Sequence, residues 1–235
     1  MSLEESLGND AERLLTEALA GLVDAGLHEA EARKYRLLVA FLEAHPDAYS
    51  SRSRQPHKIG SLDFVKVTAG RFFGERFART EPSLPRTVPD PIVGLVLSAH
   101  FGIEHQRVPQ LERDHQAAMA AENVVGKLLE RYLAVRLEQH GWVWCAGDFV
   151  KATDFVMRDD NGVWLALQVK NRDNSENSSS AAIRQGTTIE KWFRTFSRSG
   201  DTNWASFPGS PQKYGVSEDG FRQYVLAYFN RSACA

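Results

Sequence analysis

The chain has 235 residues, enough for one large domain or for a domain with an extension. Its residues are 43% hydrophobic and 25% charged, an ordinary globular composition. No apolar run approaches the roughly 20 residues that span a bilayer. A net charge of −2 argues against a protein that coats DNA non-specifically. Two cysteines make no disulfide framework, and the acidic N-terminus lacks a signal-peptide core, so we expect a cytoplasmic protein without a membrane segment.

The first half of the chain is predicted to be mainly helical. Residues 11–27 and 29–46 repeat apolar side chains at helical spacing. Three prolines within residues 84–91 indicate a connector, and residues 92–103 form a short apolar segment that we expect to be buried. We therefore assign residues 1–108 to a mainly helical N-terminal region that clasps DNA or dimerises.

Charge is distributed unevenly over this region. Residues 1–50 carry ten acidic against four basic side chains, whereas residues 51–79 carry seven basic against two acidic ones. A basic segment in a nearly neutral chain suits a protein that grips a polyanion in one place, and a solvated surface is the alternative interpretation.

The second half, residues 109–235, is predicted to form an α/β layer with a mixed sheet. An amphipathic pattern indicates a long helix over 109–139. The later predicted elements are strands over 142–147, 154–158 and 163–170, a helix over 187–200 and a strand over 224–230.

Two neighbouring strands bring polar side chains together. Gln168 and Lys170 share one face of the third strand because side chains alternate. Asp154 lies at the matching end of the preceding strand. Asp154 lies opposite Gln168, on the same face of the sheet, if Asp159 pairs with Val163. This register requires a three-residue hairpin loop, or a bulge that shifts the pairing by the same amount.

The long helix adds a fourth polar group. Glu122 is predicted to lie on the apolar stripe of this helix, whereas Glu130, Arg131 and Glu138 fall outside it. A carboxylate turned toward a core is costly unless it is paired or bound to metal. The alternative is a glutamate at the edge of the stripe that reaches solvent.

These residues suit a magnesium site for phosphodiester hydrolysis. Mg²⁺ prefers oxygen ligands and keeps several waters. Asp154 offers a carboxylate, Gln168 an amide oxygen and Val169 its carbonyl, while Glu122 can bind a metal-held water or a second metal. Lys170 can orient the attacking water or stabilise charge on phosphorus.

At these positions the chain resembles the PD-(D/E)xK nuclease superfamily. The resemblance spans roughly residues 109–230 and implies an α-β-β-β-α-β core in which Glu122, Asp154 and Gln168-Val169-Lys170 are the catalytic residues. Two departures stand out: a threonine precedes Asp154 in place of proline, and Gln168 replaces the usual acid. One charge fewer should weaken metal affinity.

A closer likeness is to type II restriction endonucleases of the SinI kind. It is carried by the segments AAENVVGKLLERYLA, GWVWCAG, VKATDFV and LQVKNRDNSENSSSAAIRQGTTIEKWFR. The resemblance implies Mg²⁺-dependent double-strand cleavage at a short, nearly palindromic site, GGWCC. It also implies double-stranded DNA as substrate, a homodimer and a partner DNA methyltransferase.

The polar loop after Lys170 and the predicted helix beyond it are expected to meet DNA. Arginine reads guanine, and Asn, Asp and Glu read other base edges. Arg172 and Arg184 are the first candidates for guanine. The predicted helix places Lys191, Arg194 and Arg198 in one basic stripe suited to phosphates, although a surface loop and a solvated helix face are the alternatives. The complete set is Asn171, Arg172, Asp173, Asn174, Ser175, Glu176, Asn177, Arg184, Lys191, Arg194 and Arg198.

Two other functions are consistent with the same residues. One is a repair or Mrr-like nuclease that recognises DNA structure or modification. The other is a DNA-binding module whose metal cluster is degenerate, for which the missing acid at Gln168 is the argument. The pattern leaves open the cut position, the number of metal ions and whether Gln168 binds metal directly.

Overall fold

The computed structural model describes residues 13–17, 20, 25–51, 54–173 and 189–230. Its helices are α1 (Ala25–Ala44), α2 (Leu62–Phe77), α3 (Pro91–Phe101), α4 (Val108–Leu137), α5 (Pro211–Tyr214) and α6 (Glu218–Asn230). Its strands are β1 (Val143–Trp144), β2 (Phe155–Arg158), β3 (Trp164–Arg172) and β4 (Ile189–Thr195).

The strands form one mixed sheet in the order β1-β2-β3-β4. The first two pairings are antiparallel, whereas β3 and β4 run parallel. Phe41 of α1 contacts Trp164 on one face of the sheet. Trp192, on the opposite face, contacts Trp204, which in turn contacts Tyr132 of α4. The predicted α/β class with a mixed sheet flanked by helices is therefore confirmed.

The hairpin between β2 and β3 has the predicted register. The Asp159 N–H donates to the Val163 carbonyl at 2.9 Å, and Phe155 pairs with Leu167. The three-residue loop ends at Gly162, whose φ of 79° lies in the left-handed region that favours glycine. This register sets which side chains of β3 face the site described below.

Other helix predictions also agree with the structure. The pattern over 109–139 corresponds to α4, and the pattern over 29–46 corresponds to α1, which ends at Ala44. The proline-rich connector over 84–91 leads into α3, where Pro91 occupies the first helical turn and the Asp90 carboxylate caps the Ile92 N–H.

The predicted helix over 187–200 is wrong, because β4 occupies residues 189–195. The segment is rich in Ile, Trp, Phe and Thr, which favour strands, and a short apolar run does not distinguish helix from strand by spacing alone. Trp192 is buried, and Thr195 is buried on the opposite face.

The predicted strand over 224–230 is also wrong, because these residues belong to α6. The helix begins where the Ser217 hydroxyl accepts a hydrogen bond from the Gly220 N–H at 3.0 Å. Phe221 and Tyr224 then both contact Tyr132 at helical spacing. The cap at Ser217, upstream of the apolar run, was the signal for a helix.

The apolar segment over 92–103 is helical and largely exposed, so the expectation of burial was wrong. Only Gly94 is buried within α3. With 11 residues the helix is short, and no helix among the described ranges is long and apolar enough to cross a membrane.

The chain divides into two compact units. One contains Met1–Ala78 and Glu130–Ala235, and the other contains Arg79–Leu129. The first unit therefore joins α1 and α2 to the sheet, and the second holds α3 and most of α4. The functional division at residue 108 stays a prediction.

A largely buried ionic cluster, formed by Glu31, Lys34, Arg76 and Glu138, joins α1 and α2 to the segment just after α4. The Arg76 guanidinium donates to both carboxylates, with a 2.7 Å contact to Glu138. The Lys34 ammonium lies 2.6 Å from each of the same carboxylates. Burial alone would raise the pKa of Glu138, but the hydrogen bonds from Arg76 and Lys34 outweigh it and hold the pKa below its usual value.

We predict that Glu138→Gln destabilises the protein by about 3 kcal/mol at pH 7, because it leaves the largely buried cations of Arg76 and Lys34 with one carboxylate in place of two. A lowered folded-state pKa means that the carboxylate stabilises the fold above the ordinary value of 4.5 and that this contribution is lost as the pH falls through the lowered value. Urea unfolding at pH 7 and near pH 4 measures both effects.

Glu29→Gln is the matched control, since this exposed carboxylate pairs with Arg36 at 3.5 Å on the surface. Its effect should stay within about 0.5 kcal/mol. Equal stability losses in the two variants would show that the buried cluster contributes no more than a surface pair.

Candidate active site

The candidate site lies where β2 begins and β3 approaches its end. Asp154 immediately precedes β2, and Lys170 lies two residues before the last residue of β3. Because the two strands are antiparallel, these positions meet at one end of the hairpin.

Three hydrogen bonds fix Asp154. Its N–H donates to the carbonyl of Leu167, the residue paired with Phe155, so the ladder bulges at this point. Its carbonyl accepts from the Cys145 N–H at 2.8 Å. Its carboxylate oxygen Oδ2 accepts from the Val169 N–H at 2.7 Å. The carboxylate is therefore held against the β3 segment that carries the other predicted site residues.

The charge state of Asp154 reflects its surroundings. Burial raises the pKa of its carboxyl from 3.8 to about 6, although the Val169 N–H and the Lys170 ammonium lower it and the Asp148 carboxylate raises it. Asp154 and Lys170 are thus close enough to interact, as the predicted cluster required. A carboxylate that is costly to keep charged gains most from a nearby cation.

Gln168 and Lys170 share a face of β3, as predicted from the alternation of side chains. Gln168 is 2% exposed, whereas Lys170 is partly buried. The parallel register pairs Gln168 with Lys191 and Lys170 with Phe193. Lys191 therefore lies beside Gln168 on the same face, close to the site rather than on a separate basic helix.

Asp148 is a site neighbour that the sequence interpretation did not include. Its φ of 55° is in the left-handed region, which is uncommon for a residue other than glycine. The preceding Gly147 approaches α2 so closely that a Cβ there would lie 2.7 Å from the Arg71 carbonyl carbon. The Arg71 guanidinium also donates to the Asp148 carbonyl at 2.6 Å. In the sequence, the Gly-Asp pair at the end of the strand predicted over 142–147 was the available signal for this turn.

The prediction of which side chains of the long helix face the core was wrong. Glu122 is exposed rather than turned toward a core, and it belongs to the unit of residues 79–129. Arg131 is buried, and Glu138 lies in the ionic cluster. Glu130 accepts a hydrogen bond from the Trp144 indole at 3.0 Å. The catalytic role of Glu122 stays a prediction.

The described part of the predicted DNA loop is already engaged in the fold. The Asn171 side-chain oxygen accepts from Arg194 at 2.9 Å, and the Asp173 carboxylate accepts from the Ser197 N–H at 2.8 Å. Arg172 is exposed. The remaining predicted contacts of this loop lie outside the described residues: Asn174, Ser175, Glu176, Asn177 and Arg184.

The basic stripe predicted for residues 191–198 does not exist as a helical feature. On β4, Lys191 and Arg194 point to opposite faces. The Arg194 guanidinium contacts both Glu218 oxygens, at 2.7 and 2.9 Å, and lies over the Phe221 ring. Arg198 is exposed beyond the strand. Arg194 thus joins β4 to α6, and contact of any of the three with DNA stays a prediction.

The donor atoms at the site suit a hard cation with few protein ligands. Among the described residues no group of three or more His, Cys, Asp or Glu side chains could hold a metal ion. The available oxygens are those of the Asp154 carboxylate, the Gln168 amide and the Val169 carbonyl, which turns to the β2 side together with its N–H. Mg²⁺ prefers such oxygens and fills its remaining positions with water.

Comparison with known proteins identifies the family. A family model described as SinI restriction endonuclease matches residues 22–231. The chain is 43% identical to the type II restriction enzyme Eco47I of Escherichia coli over 231 residues, 97% of this chain and 98% of the relative. It is 44% identical to the type II restriction enzyme SinI of Salmonella infantis over 203 residues, 85% and 88% of the two chains. The protein therefore belongs to the SinI restriction endonuclease family.

Proposed function

We propose that the protein is a type II restriction endonuclease that uses Mg²⁺ to cut both strands of DNA at a short, nearly palindromic site, with GGWCC as the expected sequence. Its family membership makes it a site-specific deoxyribonuclease, and two relatives that match most of the chain are named type II restriction enzymes. The observation that carries the chemistry is the Asp154 carboxylate held by the Val169 N–H beside Lys170.

The reaction is hydrolysis of a phosphodiester. A water oxygen bonds to phosphorus, one P–O bond of the backbone breaks, and the leaving oxygen takes a proton. When bound, Mg²⁺ supplies positive charge that neutralises the phosphate and lowers the pKa of water. Asp154, Gln168 and the Val169 carbonyl are the residues that would hold it, in the arrangement of a PD-(D/E)xK site.

Lys170 has two roles open to it at this position. Its ammonium lies near the Asp154 carboxylate and is partly buried, so its charge acts in surroundings less polar than water. It can orient the attacking water by hydrogen bonding, or it can stabilise the negative charge that develops on phosphorus. Both roles need the charge, so both predict loss of cleavage when the lysine is removed.

The partners follow from the symmetry of the substrate. A nearly palindromic site has two-fold symmetry, so a two-fold homodimer aligns one active site with each strand. A cognate DNA methyltransferase would protect the same site in the host genome, and both proteins would act in the cytoplasm.

DNA contacts in this proposal come from two places. Arg172 and the loop that follows it would read bases next to the cut. In the basic segment 51–79, Arg54, Lys58 and Lys66 are exposed and suited to phosphates. Arg76 is excluded from that role, because it is held in the buried ionic cluster.

We predict discrete, Mg²⁺-dependent fragments when the purified protein digests phage DNA, and no cleavage in EDTA. Lys170→Ala should slow cleavage at least about a hundredfold, with DNA binding by gel shift unchanged. Asp154→Ala should have the same two effects. Lys213→Ala, which removes an exposed lysine of the same unit, is the control and should cut normally.

The digest of the wild-type protein separates the alternative functions. A smear would favour a structure- or modification-dependent nuclease, and DNA binding without cleavage would favour a degenerate DNA-binding module.

Gln168→Glu should lower the Mg²⁺ concentration needed for half-maximal cleavage, on the order of tenfold, because metal affinity rises with the charge of the ligands. Gln168→Ala, which removes the oxygen, should raise it. Measurement of cleavage rate against Mg²⁺ concentration tests both. Identical metal dependence in all three proteins would exclude residue 168 from the metal site.

Asp148→Asn should raise the half-maximal Mg²⁺ concentration about tenfold, because it removes a carboxylate near Asp154. Asparagine also tolerates the left-handed backbone at this position, so the fold should be kept. Asp160→Asn, in the exposed hairpin turn, is the matched control. An unchanged metal dependence in Asp148→Asn, together with a shift in Glu122→Gln, would assign the second carboxylate to the helix instead.

A further inference from the structure

Helix α3 presents an apolar face without charge. Its sequence, PIVGLVLSAHF, contains no Asp, Glu, Lys or Arg. Ile92 is 60% exposed, Leu95 57% and Val96 50%. Such a face is unusual for a helix on the surface of a soluble protein, where charged side chains normally alternate with apolar ones.

The three side chains Ile92, Leu95 and Val96 occupy one side of the helix. Ile92 and Val96 are four residues apart and therefore adjacent on the helix surface, and Leu95 flanks them. The opposite side contains Gly94, where an added Cβ would lie 3.1 Å from the Val108 side chain at the start of α4. Helix α3 thus packs within its own unit through its glycine side and turns its large side chains outward.

The unit of residues 79–129 buries too few apolar side chains to form a core that would cover the exposed ones. Its buried apolar side chains larger than alanine are Val108, Val124, Leu128 and Leu129. Its large apolar side chains that are exposed outnumber them: Leu84, Val88, Ile92, Val93, Leu95, Val96, Phe101, Leu111 and Met119. This balance is the reverse of that in a folded domain, so a partner is expected to cover the unit.

We propose that the exposed face of α3, with the connector before it, is the homodimer interface of this enzyme. The side chains of α3 alone expose on the order of 500 Å² of apolar surface, the size of the largest patch on a typical monomer. A standard interface hides about 800 Å² on each partner, which the neighbouring Leu84 and Val88 can complete. DNA is a poor occupant, because the helix has no cation for phosphates.

A second copy of the chain fits this surface because it is self-complementary. In a two-fold interface the same patch faces itself, and the helical part of this patch, which is apolar and uncharged, meets its copy without like-charge repulsion. The inference rests on the proposed function in one respect: double-strand cleavage of a two-fold site is the reason that a dimer is needed. The surface itself is identified from exposure and composition.

Ile92→Glu combined with Val96→Glu should convert the dimer to a monomer. We expect the dissociation constant of the dimer to rise at least about a hundredfold, because like charges would face each other across the interface. Analytical ultracentrifugation over a concentration series measures this change. Leu226→Glu is the matched control, since Leu226 is also exposed, on α6 of the other unit, and this variant should stay dimeric. Circular dichroism checks that both variants keep their helices.

A second measurement does not depend on a disruptive variant. Val96→Cys in a Cys234→Ser background should give a covalent dimer with a short bis-maleimide, because the proposed interface lays the α3 faces of the two copies against each other. Cys145 is buried and should not react. Leu226→Cys in the same background should give no dimer.

The outcomes separate this inference from the proposed function. A wild-type protein that is monomeric at micromolar concentration, an Ile92→Glu/Val96→Glu variant that stays dimeric, or a Val96→Cys protein that fails to cross-link would each overturn the interface. A dimer that dissociates and cross-links as expected but cuts no DNA would leave the interface standing and reject the nuclease proposal.

Discussion

The hydrogen bond from the Val169 N–H to the Asp154 carboxylate is the contact on which the candidate site depends. It forms only because the hairpin has its three-residue loop ending at Gly162 and pairs Phe155 with Leu167. A shift of one residue would turn Lys170 to the other face of the sheet and separate its charge from the carboxylate. The turn, although it is exposed and lies at the other end of the hairpin, therefore determines which side chains of β3 face the candidate site.

A chain of contacts links this bond to the buried ionic cluster. Glu138, held by Arg76, accepts a hydrogen bond from the Trp144 N–H at 3.2 Å. The next residue, Cys145, donates its own N–H to the Asp154 carbonyl. The charges that fasten α1 and α2 to the segment just after α4 thus also position the strand beside the site. A buried ionic cluster can contribute little net free energy relative to apolar side chains in its place and still fix the positions of the elements that it joins.

The two units have different surfaces, and the difference suits different partners. The first unit contains the carboxylate and lysine of the candidate site, and it also has exposed cations at Arg54 and Lys58. The second presents the uncharged apolar face of α3. Phosphates are attracted by charge, whereas an apolar face is covered by one of similar shape and composition. Under the two proposals above, one unit would hold the DNA and the other would hold the second copy of the chain.

The sequence by itself determined the hairpin register, the long helix and the shared strand face of Gln168 and Lys170, because these follow from local rules: alternation along a strand, helical spacing and turn chemistry. It did not determine the identities of β4 and α6, since short apolar segments suit either structure until they pair or pack. It also misplaced Glu122, the buried Arg131 and the exposed face of α3. Those positions depend on which neighbours cover each residue, and neighbours distant in the chain are brought together only by the tertiary structure.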